Sequence, residues 1–139
     1  MGQIKVFLDS DVVVSALLSQ TGASYEILKN KEIRKITSET IKVEVGEVAK
    51  RLNISLSNKR IFGKMEVINL KLNKARLVKN YLPYVLDEED SHVVAGATKA
   101  NSRFLLTHNI KHYHIEKIKR DLEIITMKPG TFLQYLRSS

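Results

Sequence analysis

Ile4-Lys5-Val6-Phe7-Leu8-Asp9-Ser10-Asp11-Val12-Val13-Val14-Ser15-Ala16-Leu17-Leu18 reads as a strand that turns directly into a helix. Ile4 to Leu8 is short and rich in β-formers, Asp9-Ser10-Asp11 breaks it with helix-capping residue types, and Val12 to Leu18 is an apolar run suited to a helix. Thr21-Gly22 punctuates, Ser24 is placed to cap a helix through Lys29, and Ile33 to Ile36 predicts a second strand. Ser38 then predicts the cap of a longer helix in which Ile41, Val45, Val48 and Leu52 recur at helical spacing, with Glu44 and Glu47 on its flanks. Asn53 to Lys64 reads as a further helical piece, Met65 to Leu70 as a strand, and Asn73 to Leu82 as a basic amphipathic helix.

After Pro83, Asp87-Glu88-Glu89-Asp90 opens a small-residue helix over Ser91 to Ala100. Phe104-Leu105-Leu106-Thr107 is a buried strand that runs into His108-Asn109, followed by a helix around Ile115 to Arg120, a strand at Glu123 to Thr126 and a last short helix after Pro129-Gly130. Strands alternating with helices predict an α/β fold of three layers, α/β/α, around a mainly parallel sheet. Ligands of such sheets bind beyond the carboxyl ends of the strands. Asp9 and Asn109 both follow predicted strands, so they fall on that edge.

The chain has 139 residues, 43% of them apolar, enough for one sizeable core and so for a single domain over 1–139. It has no cysteine, which excludes disulfides, thiolate metal sites and thiol nucleophiles, and suits a reducing cytosol. No apolar run reaches the length of a membrane span, and Met1 to Leu8 lacks a signal-peptide core, so a soluble cytoplasmic protein is expected. The formal charge of +8 is concentrated: Lys50 to Asn80 carries nine Lys or Arg against one acid, Glu66. Such a stretch attracts polyanions by releasing their counterions, which makes nucleic acid the natural partner class. An acidic protein partner or a solvated lysine face would account for it as well.

Asp9, Glu44, Asp90 and Asn109 have contexts suited to one site. Oxygen donors of this kind suit Mg²⁺ or Mn²⁺, and a cluster of carboxylates is costly without a cation because like charges raise one another's pKa values. Each residue also has a plainer use: Asp9, Asp87 and Asp90 as helix caps, Glu44 and Glu47 as solvated helix carboxylates, Asn109 as a turn residue.

In order along the chain, these residues resemble a known family, the PIN domains. Val6-Phe7-Leu8-Asp9-Ser10-Asp11-Val12 is similar to their opening motif, and Ser38 with Glu44-Val45-Gly46-Glu47-Val48 to their second block, where the acid lies six residues after a capping Ser. Asp87-Glu88-Glu89-Asp90-Ser91-His92-Val93-Val94-Ala95-Gly96-Ala97 resembles the third, with Asp90 at the metal position and Asp87 an accessory acid. Ala100 to Asn109 resembles the fourth, and Ile124 to Leu133 the closing strand, Pro and Phe-Leu helix. Two departures stand out: Asp11 replaces a common Asn, adding charge, and Asn109 replaces a common fourth Asp, removing a carboxylate. The resemblance implies a PIN-like fold and a metal-dependent endoribonuclease with Asp9, Glu44 and Asp90 as metal ligands and Asn109 as an orienting or water-mediated contact. Ser10, Asp11, Asp87 and Thr107 are accessory. It further implies Mg²⁺ or Mn²⁺, metal-activated water leaving a 5′-phosphate and a 3′-hydroxyl, a homodimer, and the toxin half of a toxin-antitoxin pair with an antitoxin partner.

His108, His112 and His114 do not make a zinc site on their spacing, since the segment contains a turn, lacks cysteine, and His92 lies in another helix. A loop role or an RNA contact is expected, with His108 near the phosphate. Tyr81, Tyr84 and Tyr113 could stack on bases, although burial is the commoner fate of such rings. Competing readings are a noncatalytic nucleic-acid-binding PIN-like protein, a protein-interaction module that receives an acidic partner on the basic stretch, and a DNA nuclease.

Overall fold

The computed structural model describes residues 2–55 and 60–138. Five strands, β1 (Lys5–Leu8), β2 (Arg34–Ser38), β3 (Glu66–Ile68), β4 (Phe104–Leu106) and β5 (Ile125–Met127), form one sheet in the order β3-β2-β1-β4-β5. Every pairing is parallel. Eight α-helices accompany them among the described residues: α1 (Ser10–Leu18), α2 (Ala23–Lys29), α3 (Glu39–Arg51), α4 (Arg60–Gly63), α5 (Lys74–Tyr81), α6 (Ser91–Lys99), α7 (Ile115–Leu122) and α8 (Pro129–Ser138). None of them is long and apolar enough to cross a membrane.

Successive strand residues point to opposite faces, yet Val6, Phe7 and Leu8 are all fully buried, as are Phe104, Leu105 and Leu106. Both faces of the central strands are therefore covered, and this explains their continuous apolar composition. Val6 pairs with Phe104, and the Phe104 ring packs against Phe132 and Tyr135 of α8. Phe7 lies on the other face, under α6. A Cβ on Gly96 would fall 2.3 Å from the Phe7 Cζ, so the small residue lets the helix backbone approach the ring. The small-residue content of α6 is thus a packing requirement.

Several local expectations change. The second helix begins at Ala23 with Gly22 as its cap, and Ser24 is buried inside it with no hydrogen-bond partner for its hydroxyl. In α3 the buried stripe is Ile41, Val45 and Ala49, each four residues apart, while Leu52 sits beyond the helix end and is exposed. Of the helix expected from Asn53 to Lys64, the described residues carry the single turn of α4, and 56–59 lie outside the described residues. The last strand starts two residues late because Glu123 takes a left-handed conformation (φ 58°) to end α7. Ser38 caps α3 by accepting from the Ile41 backbone N–H, as expected, and Asn73 caps α5 by accepting from the Arg76 N–H.

Candidate active site

The segments after β1 and β4 meet at the carboxyl edge of the sheet. The Asp9 N–H donates to the Leu106 carbonyl (3.1 Å), which extends the β1–β4 ladder by one step and fixes where this acid stands. Asp9 Oδ1 accepts from the Ser10 N–H at 2.7 Å, capping α1. Its Oδ2 accepts from the hydroxyls of Thr107 and Tyr113, each at 3.0 Å. The capping contact uses one oxygen of the carboxylate and leaves the other to Thr107 and Tyr113.

Asp9 is only 7% exposed. Burial, and after it repulsion from Asp11, push its pKa up to about 6, against the lowering effect of the Thr107, Ser10 and Tyr113 hydrogen bonds. Asp11 is tied to the β4 loop: its Oδ2 accepts from the His108 N–H (3.1 Å) and from the Asn109 side-chain amide (3.0 Å). The Thr107 hydroxyl also lies 3.2 Å from that oxygen, so its one proton serves Asp9 or Asp11 at a time. Asn109 therefore orients Asp11, and its backbone N–H donates to the Thr107 hydroxyl at 3.1 Å. His108 stands 3.7 Å from Asp11 through Nδ1.

Glu44 and Asp90 arrive from helices. The Ser38 cap sets the start of α3, and Glu44 lies one position off its buried stripe, with its Oε2 3.0 Å from His92 Nε2. Asp90 is the residue at which α6 begins; its Oδ2 is 3.3 Å from His112 Nδ1. Burial raises the Asp90 pKa in spite of His112. For His92, burial alone would lower the pKa, but the Glu44 hydrogen bond and the fields of Glu44, Asp9 and Asp90 outweigh it and leave it above the ordinary histidine value. Burial and the fields of Asp9 and Asp90 likewise raise the Tyr113 phenol. Asp9, Glu44 and Asp90 thus act on one imidazole, and Asp9 and Asp90 on one phenol.

Not every expected residue joins this group. Asp87 caps the 3-10 turn Glu88–Asp90 by accepting from the Glu89 N–H at 2.9 Å and reaches the cluster only through its repulsion of Asp90. Ser10 serves through its backbone N–H, with its hydroxyl at a marginal 3.5 Å from Asp9. Two contributors were not legible in the sequence: Tyr113, which reads as a buried or stacking ring, and His92, which reads as a helix residue remote from the other histidines. The i+2 spacing of His92 from Asp90 was the available signal.

As placed, the acids rest on protein partners, and no three His, Asp or Glu side chains among the described residues are arranged to enclose an ion. The donor chemistry fits a hard divalent cation: carboxylates and hydroxyls converge, the chain has no thiol, and neither Asp9 nor Asp11 has a Lys or Arg partner among the described residues. The buried Asp9 beside Asp11 is the charge arrangement that a cation would relieve.

Beside Glu44 and His92 a cleft of about 270 Å³ opens between α3 and α5, walled by Leu72, Leu77 and Val78. Lys74 at its rim is paired with Glu89 (2.7 Å), while Arg76 and Lys79 of the same helix form no ion pair among the described residues.

Residues 5–111 match the family model described as PIN domain. Among curated protein sequences none matches this chain. Solved structures with the same fold include a toxin-antitoxin complex from Klebsiella pneumoniae, 19% identical, with a TM-score of 0.62 over 77% of this chain and 88% of that one. VapBC2 from Rickettsia felis, bound to a DNA fragment from its promoter, is 16% identical, with a TM-score of 0.60 over 88% of this chain and 97% of that one. PAE2754 from Pyrobaculum aerophilum is 13% identical, with a TM-score of 0.64 over 99% of each chain.

Proposed function

This chain belongs to the PIN domain family, and from that premise we propose that it is a metal-dependent endoribonuclease that hydrolyses RNA phosphodiester bonds. Asp9, Glu44 and Asp90 would hold Mg²⁺ or Mn²⁺. The observation that supports the reading is the 3.0 Å hydrogen bond by which Glu44 of α3 meets His92, two residues after Asp90 at the start of α6, the helix that packs on the strand preceding Asp9. The chemistry such a cation supplies is stabilisation of charge on the phosphate oxygens and a source of hydroxide at neutral pH.

The chain's own groups set the frame. Thr107, Tyr113 and the Ser10 N–H orient the Asp9 carboxylate, and the Asn109 amide with the His108 N–H holds Asp11. Arg76 and Lys79, on the helix that walls the cleft leading to Glu44, would draw the RNA backbone towards the acids. We assign the chain to the toxin side of a toxin-antitoxin pair, restrained by an antitoxin protein, by analogy with the Klebsiella and Rickettsia complexes, and we propose that it acts as a homodimer.

The test is cleavage of end-labelled RNA and matched DNA libraries by the wild-type chain, Asp9→Asn and Asp90→Asn, in EDTA, Mg²⁺ or Mn²⁺. The expected result is metal-dependent RNA cleavage that leaves 5′-phosphates and disappears in both variants. RNA bound equally by all three proteins and cut by none would sink the nuclease in favour of a noncatalytic binder, and cleavage confined to DNA would transfer the activity to the other polymer.

A further inference from the structure

We propose that His92 is the positioning residue that holds the Glu44 carboxylate in the acid cluster; the inference rests on the metal centre proposed above. Glu44 stands off the buried stripe of α3, its side chain 40% exposed, and its hydrogen bond to His92 ties it across to α6. A glutamate on such a flank would otherwise spread over many rotamers, and fixing it would oppose ion binding. His92 supplies the missing constraint. Its side chain is 11% exposed, and its Nδ1 is buried without a hydrogen-bond partner among the described residues, so the contact to Glu44 is the polar use this ring has there. An apolar side chain would fill the same space without leaving a buried nitrogen unmatched.

The placement links two acids through one helix end. His92 follows Asp90 by two residues, at the start of α6, and lies in the fields of both Asp90 and Asp9. Gly96 seats α6 directly on Phe7 of β1, the strand that ends at Asp9. Packing one helix on one strand therefore places Asp90 directly and Glu44 by way of the imidazole. Residues that orient metal ligands in this manner typically change metal affinity by about 10- to 100-fold when removed.

The measurement is calorimetric Mn²⁺ binding to the full chain, which reads the site without reference to turnover. His92→Ala is expected to weaken binding by roughly tenfold. His92→Gln, whose amide nitrogen reaches about as far as the ring Nε2, is expected to stay within about threefold of wild type. His92→Phe keeps the ring volume without the donor and should match the alanine variant, which guards against a loss caused by misfolding. In a Glu44→Ala background the His92 substitutions should cost nothing further. Wild-type affinity in both His92→Ala and His92→Phe, or an undiminished loss in the Glu44→Ala background, overturns the inference and leaves the metal centre standing. A wild-type chain that takes up no Mn²⁺ overturns the metal centre, and this inference with it.

Discussion

Replacing Asp9 by asparagine should shift the stability of the metal-free protein in the variant's favour as pH rises towards neutrality, while abolishing the proposed cleavage. In the folded chain the Asp9 pKa is about 6, against an ordinary value of 3.8, because burial and Asp11 oppose ionisation more than three hydrogen bonds favour it. A folded pKa above the unfolded one means that the native state binds the proton more tightly. The contribution to stability is then fully present below the unfolded value and is lost as pH rises through about 6. The difference between 3.8 and about 6 corresponds to roughly 3 kcal/mol. The amide of Asp9→Asn carries no charge at any pH and keeps an oxygen for the Ser10 N–H. Its stability relative to wild type should therefore rise by about 3 kcal/mol between pH 4 and 7 and then level off, from a low-pH offset set by the exchange of the Oδ2 that accepts from Thr107 and Tyr113 for an amide donor. For 139 residues, an unfolding entropy of about 2.1 cal/mol/K per residue converts that rise into roughly 10 °C. The assay is thermal melting of both proteins in EDTA from pH 3.5 to 8. A difference between the two proteins that does not grow in favour of Asp9→Asn as pH rises from 4 to 7 would refute the electrostatic account of this site. Adding Mg²⁺ or Mn²⁺ should then close the gap, because binding to the native state stabilises wild type alone.

Four further outcomes follow from particular contacts. Tyr113→Phe removes a hydrogen bond that lowers the Asp9 pKa, so the acid limb of the pH–rate profile should move to higher pH, with about 1 kcal/mol of stability lost in denaturant melts. Gly96→Ala forces a Cβ to within 2.3 Å of the fully buried Phe7 ring; urea unfolding should show a loss of about 1–3 kcal/mol despite the helix-favouring residue. Asn109→Asp exchanges a donor 3.0 Å from Asp11 for a second carboxylate, and should lower the melting temperature in EDTA by more than it does in Mn²⁺. Glu123→Gly relieves a left-handed residue at φ 58°, remote from the acids, and should raise stability by up to about 1 kcal/mol after the entropy cost of glycine, with cleavage unchanged.

The fold was legible where one residue type answers two demands at once. Val6-Phe7-Leu8 and Phe104-Leu105-Leu106 are apolar at every position because both sides of the central strands are covered, so strand, burial and parallel pairing could be inferred together. Ser38 announced α3 through its side-chain bond to Ile41. Legibility failed at element ends. Nothing local distinguishes Leu52 from a core residue until the helix stops at Arg51, and Glu123 does not advertise the left-handed turn that delays β5. Asp9 and Asp90 could be named because one follows a strand and the other stands at a helix start, and Glu44 because its block resembles the family's second motif, but their supports could not. Tyr113 reaches Asp9 across 104 residues of sequence and His92 reaches Glu44 across 48, and such pairings depend on how helices are seated rather than on any spacing.

The same packing explains why the costly residues sit where they do. Elsewhere local preference and tertiary packing agree, as in the apolar strands and the capped helices; at the carboxyl edge of β1 they conflict, because a buried carboxylate is placed beside a second acid. Thr107, Tyr113 and Ser10 reduce that conflict without removing it, since the Asp9 pKa stays raised after all three have acted. A fold selected for stability alone could discharge it with an asparagine at either acid. Keeping both acids leaves an unneutralised negative charge at the one edge where a parallel sheet presents ligands, which is the physical reason to look for a cation there.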